Sequence, residues 1–207
     1  GKTACDHYHR YKEDVALLKN LGIKNYRFSV SWSRIMPNGK GEINPEGVAF
    51  YSNLADELLK AGITPWVTIF HWDLPRALFE EGGFLNDKIS DYFADYAKTV
   101  VEIFGDRVKN YFIFNEPQVF VEDGHFTGAH APFLRLSRSD VFKVAHNVLL
   151  SIGKAEKVMR KTAKIELDIG CSPCFTPMIP KRKEDAELAL KYNFTPNGEF
   201  YDGCFFT

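Results

Sequence analysis

No stretch of this sequence approaches the about 18 consecutive apolar residues of a membrane-spanning helix. An excess of one charge is lacking too: Lys plus Arg total 26 and Asp plus Glu 27, for a formal net charge of −1. So balanced a chain offers no basic face, and neither nucleic acid nor an anionic membrane is expected as a partner. No Gly-rich dinucleotide loop or P-loop follows a strand-like run; "GKGE" is too short and wrongly spaced. The six histidines show no His-Glu-x-x-His or other metal spacing. No cofactor and no metal are therefore expected.

Cysteine is sparse, at positions 5, 171, 174 and 204. "CSPC" has the spacing of a redox motif or of half a zinc site. Zinc needs two further ligands, and Cys5 and Cys204 are remote in sequence. A thioredoxin-like site needs a helix starting at the motif, which Pro173 and "FTPMIP" oppose. Ordinary free thiols are the expectation. "GKTACDHYHRYKED" shows no secretory leader, which leans the location towards the cytoplasm, although a start without Met is compatible with a removed leader.

What is abundant is core material: 45% apolar residues and 18 Phe in 207 residues, enough for one large domain. Helical spacing predicts helices over Tyr8–Asn20, Glu46–Lys60, Asn86–Phe104 and Ser139–Arg160. Strand-like runs fall at Asn25–Val30, Thr64–Phe70, Val108–Phe114 and Lys164–Gly170. "LG" and "AG" close the first two helices. Strict alternation argues for parallel strands joined by helical crossovers, and the apolar strands for a sheet covered on both faces. The fold class is α/β. A doubly wound sheet and a barrel both fit the pattern, but unusual polar residues gather at successive strand ends. That is where a (β/α)8 barrel builds its active site.

Those residues suggest a chemistry. In "YFIFNEPQVF", Asn115 and Glu116 interrupt an apolar run, and Pro117 biases Glu116 towards extended backbone. A carboxyl held partly buried beside aromatic rings keeps its proton to higher pH than one in water, which suits protonation of a leaving-group oxygen. The bland reading is a solvated strand-end acid. His71 and Trp72 suit a sugar, with imidazole on a hydroxyl and indole on the ring face; the bland reading is a packed core pair. Asp73 orients the His or caps the turn at Leu74–Pro75. Arg27, within an aromatic strand, needs a carboxylate or ordered hydrogen bonds to justify its place. Arg34 lies past the strand and is a weaker candidate.

Five phrases together resemble glycoside hydrolase family 1, the β-glucosidase family: "ACDHYHRYKED", "NYRFSVSWSRIMPNG", "GEINPEGVAFYSNLADELLKAGITPWVTIFHWDLPRAL", "FADYAKTVVEIFGDRVKNYFIFNEP" and "GHFTGAHAP". They follow the family's order. The match is strongest over residues 4–155 and weak over 164–207, within one incomplete barrel domain of about four β/α units. The resemblance implies a retaining β-glycosidase acting on terminal β-D-glucosyl residues. It implies Glu116 as acid/base, Asn115 as the amide on the sugar 2-hydroxyl, His71 and Trp72 as glycone-site residues, and Arg27 beside the nucleophile.

The departures count as well. A family member is roughly twice this length. The opening strand with its sugar-binding Gln, the "TENG"-like nucleophile phrase and the later Glu-Trp region are not found here. Gly170 stands where the family has Asn, and Phe175 near a usual Tyr. The expected substrate is a β-glucoside or short β-linked oligosaccharide. A 6-phospho-β-glucosidase, another retaining barrel glycosidase and a non-catalytic carbohydrate-binding or self-associating partial barrel are the alternatives. Four strands leave an open edge, which self-association or a complementary barrel fragment would cover.

Overall fold

The computed structural model describes residues 3–174 and 177–193. Phe175, Cys204 and the terminal "YDGCFFT" singled out above lie outside the described residues. Helix α1 (His7–Asn20) leads into β1 (Asn25–Ser29), and a four-residue turn of helix, α2 (Trp32–Ile35), follows. Then come α3 (Pro45–Lys60), β2 (Thr64–Phe70), short α4 (Arg76–Glu80), α5 (Ile89–Phe104) and β3 (Asn110–Asn115). Short α6 (Pro117–Val121) runs into a π-helical turn (Glu122–Phe126), then α7 (Arg138–Thr162), β4 (Asp168–Ser172) and α8 (Ala186–Asn193).

The four strands are all parallel and lie in chain order, β1-β2-β3-β4. Both "LG" and "AG" endings work in one way. Gly22 and Gly62 each take φ 75, and the Ile after each donates back to the helix, Ile23 to Leu18 and Ile63 to Leu58. This left-handed cap turns the chain sharply and delivers it into β1 and β2 in matching register, Asn25 opposite Thr64.

The core lies between sheet and helices. Phe70, Phe84, Phe93, Phe114 and Phe120 are all at most 1% exposed. Their rings meet edge-on or tilted, with the Phe70 and Phe114 centroids 4.7 Å apart. The buried Tyr96 hydroxyl on α5 reaches the carbonyls of Val30 (3.0 Å) and Ile69 (2.9 Å), tying that helix to the exits of two strands. Arg34 on α2 lies over the rings of Tyr8, Phe50 and Tyr51 and donates to the Tyr51 hydroxyl at 3.3 Å, a packing role.

The strand expected at Lys164–Gly170 begins four residues later. Its apolar residues Ile165 and Leu167 pack beneath the sheet rather than in it. The three short helices after β1, β2 and β3 have no apolar period long enough to announce themselves. No helix among the described residues is long and apolar enough to cross a membrane.

Candidate active site

Alternation along β1 and β2 puts Arg27, Ser29 and Thr68 on one face, since Arg27 pairs with Trp66 and Ser29 with Thr68. Residues 112 and 115 of β3 differ by an odd number and should point to opposite faces. They share one face because the β3–β4 register slips between them, where Phe112 faces Gly170 but Asn115 faces Ser172. The bulge adds one residue to β3, turning Asn115 onto the face of Phe112 and freeing Phe114 for the phenylalanine core.

Arg27 draws the four strands together. Its Nε donates to Thr68 Oγ1 (2.8 Å), Nη2 to Asn115 Oδ1 (2.6 Å) and Nη1 to Ser172 Oγ (3.3 Å). Its guanidinium carbon lies 4.6 Å from the centroid of the Phe112 ring. The ordered hydrogen bonds asked of this arginine are present, and among the described residues they go to two hydroxyls and an amide rather than to a carboxylate.

The remaining sequence candidates surround it. The His71 Nδ1 lies 3.2 Å from Ser29 Oγ. Burial pushes the His71 imidazole below its ordinary pKa, the Arg27 cation adds to this, and the Glu116 carboxylate opposes it. Arg27, His71 and Glu116 thus share one electrostatic neighbourhood. Trp72 stands edge-on to His71 and donates its indole N–H to the Asn115 carbonyl at 2.8 Å.

Two non-glycine residues here have left-handed backbones, Trp72 at φ 80 and Glu116 at φ 44, ψ 61. The extended conformation expected for Glu116 is thus corrected. Glu116 is the N-cap of α6, with Pro117 as first helical residue. The Glu116 N–H is spent on Ser172 O at 2.7 Å, and its carbonyl accepts from Phe120. Such backbones cost about 1–3 kcal/mol each and persist where surroundings enforce them, typically at functional sites.

The Asp73 carboxyl acts on the backbone of its own turn, hydrogen-bonded by the main chain of His71 and of Asp73 itself, and reaches further. Its Oδ2 accepts the Trp32 backbone N–H at 3.0 Å, fastening the β2 exit to the β1 exit. Burial raises its pKa, against hydrogen bonds from Ser31 and nearby backbone. Cys5, Cys171 and Cys174 are free thiols, and burial raises Cys171, which opposes reactivity. Among the described residues no His, Cys, Asp or Glu cluster could hold a metal.

The profile of Glycosyl hydrolase family 1 matches residues 1–206. The chain belongs to glycosyl hydrolase family 1. β-Glucosidase A of Thermotoga maritima is 50% identical over 167 residues, 79% of this chain and 36% of the relative. β-Glucosidase A of Acetivibrio thermocellus is 43% identical over 203 residues, 97% of this chain and 45% of the relative. The structure of a Thermotoga maritima β-glucosidase in complex with noeuromycin aligns with TM-score 0.85 and 44% identity, over 94% of this chain and 44% of that one. The chain therefore spans less than half the length of these relatives, and its four parallel strands are a contiguous part of the family's (β/α)8 barrel.

All five sequence candidates of the family 1 chain thus gather at one rim. Thr68, Ser29 and Ser172 were missed. The first two were legible as hydroxyls alternating with apolar residues in "RFSVSW" and "WVTIF". Ser172 shares its face with Gly170 by alternation, but it meets Asn115 only through the bulge, which leaves no mark in the sequence.

Proposed function

We propose that this polypeptide is part of a retaining β-glycosidase that hydrolyses terminal β-D-glucosyl residues, with Glu116 as its acid/base. The observation that carries this is the rim itself: an acid at a strained strand end, beside an amide and an imidazole organised around Arg27. The names of the relatives, β-glucosidases, supply the reaction class.

The geometry suits each role. The Asn115 oxygen is taken by Arg27, so its NH2 is the end available to a sugar hydroxyl. The Nδ1 of His71 is engaged by Ser29, which leaves Nε2 for a second hydroxyl. Trp72 offers an indole edge to the sugar. The Arg27 cation favours the ionised form of a carboxylate nucleophile brought near it. Glu116 protonates the departing glycosidic oxygen and then takes a proton from the water that releases the glycosyl group.

A retaining site needs two carboxyls roughly 5 Å apart. Glu116 supplies one, and the family's nucleophile phrase is not found in the 207 residues. We assign the isolated chain, a single partial domain, no glucosidase turnover. The edges of β1 and β4 are where a complementary part of a barrel would pair.

Titration with the glucose-shaped iminosugar deoxynojirimycin tests the site. Saturable binding weakened about tenfold by Asn115→Ala is expected, from the loss of a hydrogen bond to a charged or desolvated group. No binding, or binding indifferent to that change, contradicts the reading.

A further inference from the structure

Trp72 is only partly buried where it packs against the core. Its backbone is left-handed at φ 80, a conformation an aromatic residue adopts only under constraint. On one side lies a cavity of about 360 Å³, lined by Trp72 itself, Leu74, Phe79, Ala131 and Pro132 among others. Packing on that side does not stop the indole from swinging away. One hydrogen bond, from the indole to the Asn115 carbonyl, fixes its edge.

His130 supplies what is missing. Its ring stacks on the indole, centroids 5.5 Å apart and planes 27° from parallel. His130 is fastened in turn. Its Nε2 lies 3.6 Å from Asp123 Oδ2, and its backbone N–H donates to Asp123 O at 2.9 Å. Thr127 holds the other Asp123 oxygen at 3.1 Å. The loop bearing His130 is tied to the π-helical turn after α6 by Leu134 N–H to Gly124 O and Leu136 N–H to His125 O. Gly124 permits this approach: a Cβ there would stand 2.9 Å from the Ala131 carbonyl oxygen.

We propose that His130 is a positioning residue that presses Trp72 against the Asn115 carbonyl and so fixes the indole wall of the sugar site. The proposal rests on the glycosidase reading only for what the wall faces. The path is continuous: π-helical turn to Asp123, Asp123 to His130, His130 to Trp72, Trp72 to the strand end that bears Glu116.

Three tryptophans make the test direct. In the 207-residue chain, solvent exchange of each indole N–H is followed by NMR. Trp32, buried and bonded to Gly39 O at 3.1 Å, reports the integrity of the fold. His130→Ala is expected to speed exchange at Trp72 about three- to tenfold, the worth of an aromatic contact, and to leave Trp32 unchanged. His130→Phe, which keeps a stacking face, is expected to restore the wild-type rate. An unchanged Trp72, or equal acceleration at Trp32, overturns the proposal. The affinity for deoxynojirimycin is measured in parallel and is expected to fall in His130→Ala and recover in His130→Phe. Unaltered affinity despite faster Trp72 exchange overturns the link to the sugar site. A wild-type chain that binds no iminosugar contradicts the glycosidase reading instead, while the exchange rates still decide on His130.

Discussion

Arg27 on β1 and Asn115 at the end of β3 meet at 2.6 Å, guanidinium to amide oxygen, across the whole width of β2. The contact needs a long side chain, a small hydroxyl-bearing residue beneath it at Thr68, and a bulge that turns Asn115 inwards. It orients the amide proposed to hold the sugar. Lysine offers no planar fork and cannot serve Thr68, Asn115 and Ser172 together. Arg27→Lys is expected to destabilise the chain by about 1 kcal/mol, discounted for its partial exposure. In a double-mutant cycle with Asn115→Ala the two changes should couple by about 0.5–1.5 kcal/mol. Urea midpoints of the four proteins give the coupling; strict additivity contradicts a direct bond.

Asp73 is a fastener between strand exits. Asp73→Ala leaves the Trp32 N–H without its acceptor and should cost about 1–2 kcal/mol, whereas Asp73→Asn keeps an acceptor oxygen and should cost less than half as much. Thermal melts of both variants check the order.

Phe133 has φ 59 and is 68% exposed, so its side chain gains little there and its backbone is strained. Phe133→Gly is expected to stabilise the chain by about 1 kcal/mol, since glycine enters the left-handed region freely. A lower midpoint in the variant would show that the ring makes a compensating contact.

His125 is 2% exposed, its Nδ1 donating to Phe120 O at 3.0 Å. Burial lowers its pKa, with the Phe120 bond opposing. A histidine with a lowered folded-state pKa binds its proton more readily when unfolded. Its contribution is therefore intact above the unfolded value of about 6.5 and is lost as pH falls from there through the folded value. His125→Phe should be less stable at pH 7.5, for want of the hydrogen bond, yet lose less stability than wild type between pH 7.5 and 5. Parallel slopes contradict the assignment.

Much of this was legible in the residues. Alternating helix and strand periods give the parallel sheet, and the glycines at 22 and 62 mark the helix ends to the residue. His71, Trp72, Asn115 and Glu116 stand out at the ends of apolar strands, and Arg27 as a cation within one. What stayed hidden depends on register and on contacts distant in sequence. No local pattern announces the bulge that turns Asn115, the left-handed backbone of Glu116 despite Pro117, the Asp73–Trp32 bond, or His130 against Trp72. β4 was placed early because Ile165 and Leu167 are as apolar as strand residues, though they pack beneath the sheet.

The central claim is that Glu116 supplies one carboxyl of a two-carboxyl reaction and that this chain alone does not supply the other. It is tested most directly by incubating the purified 207-residue chain with an aryl β-glucoside, beside Glu116→Gln. The account predicts no aryl alcohol release above that of Glu116→Gln. Sustained turnover by the wild-type chain, abolished in Glu116→Gln, would contradict it.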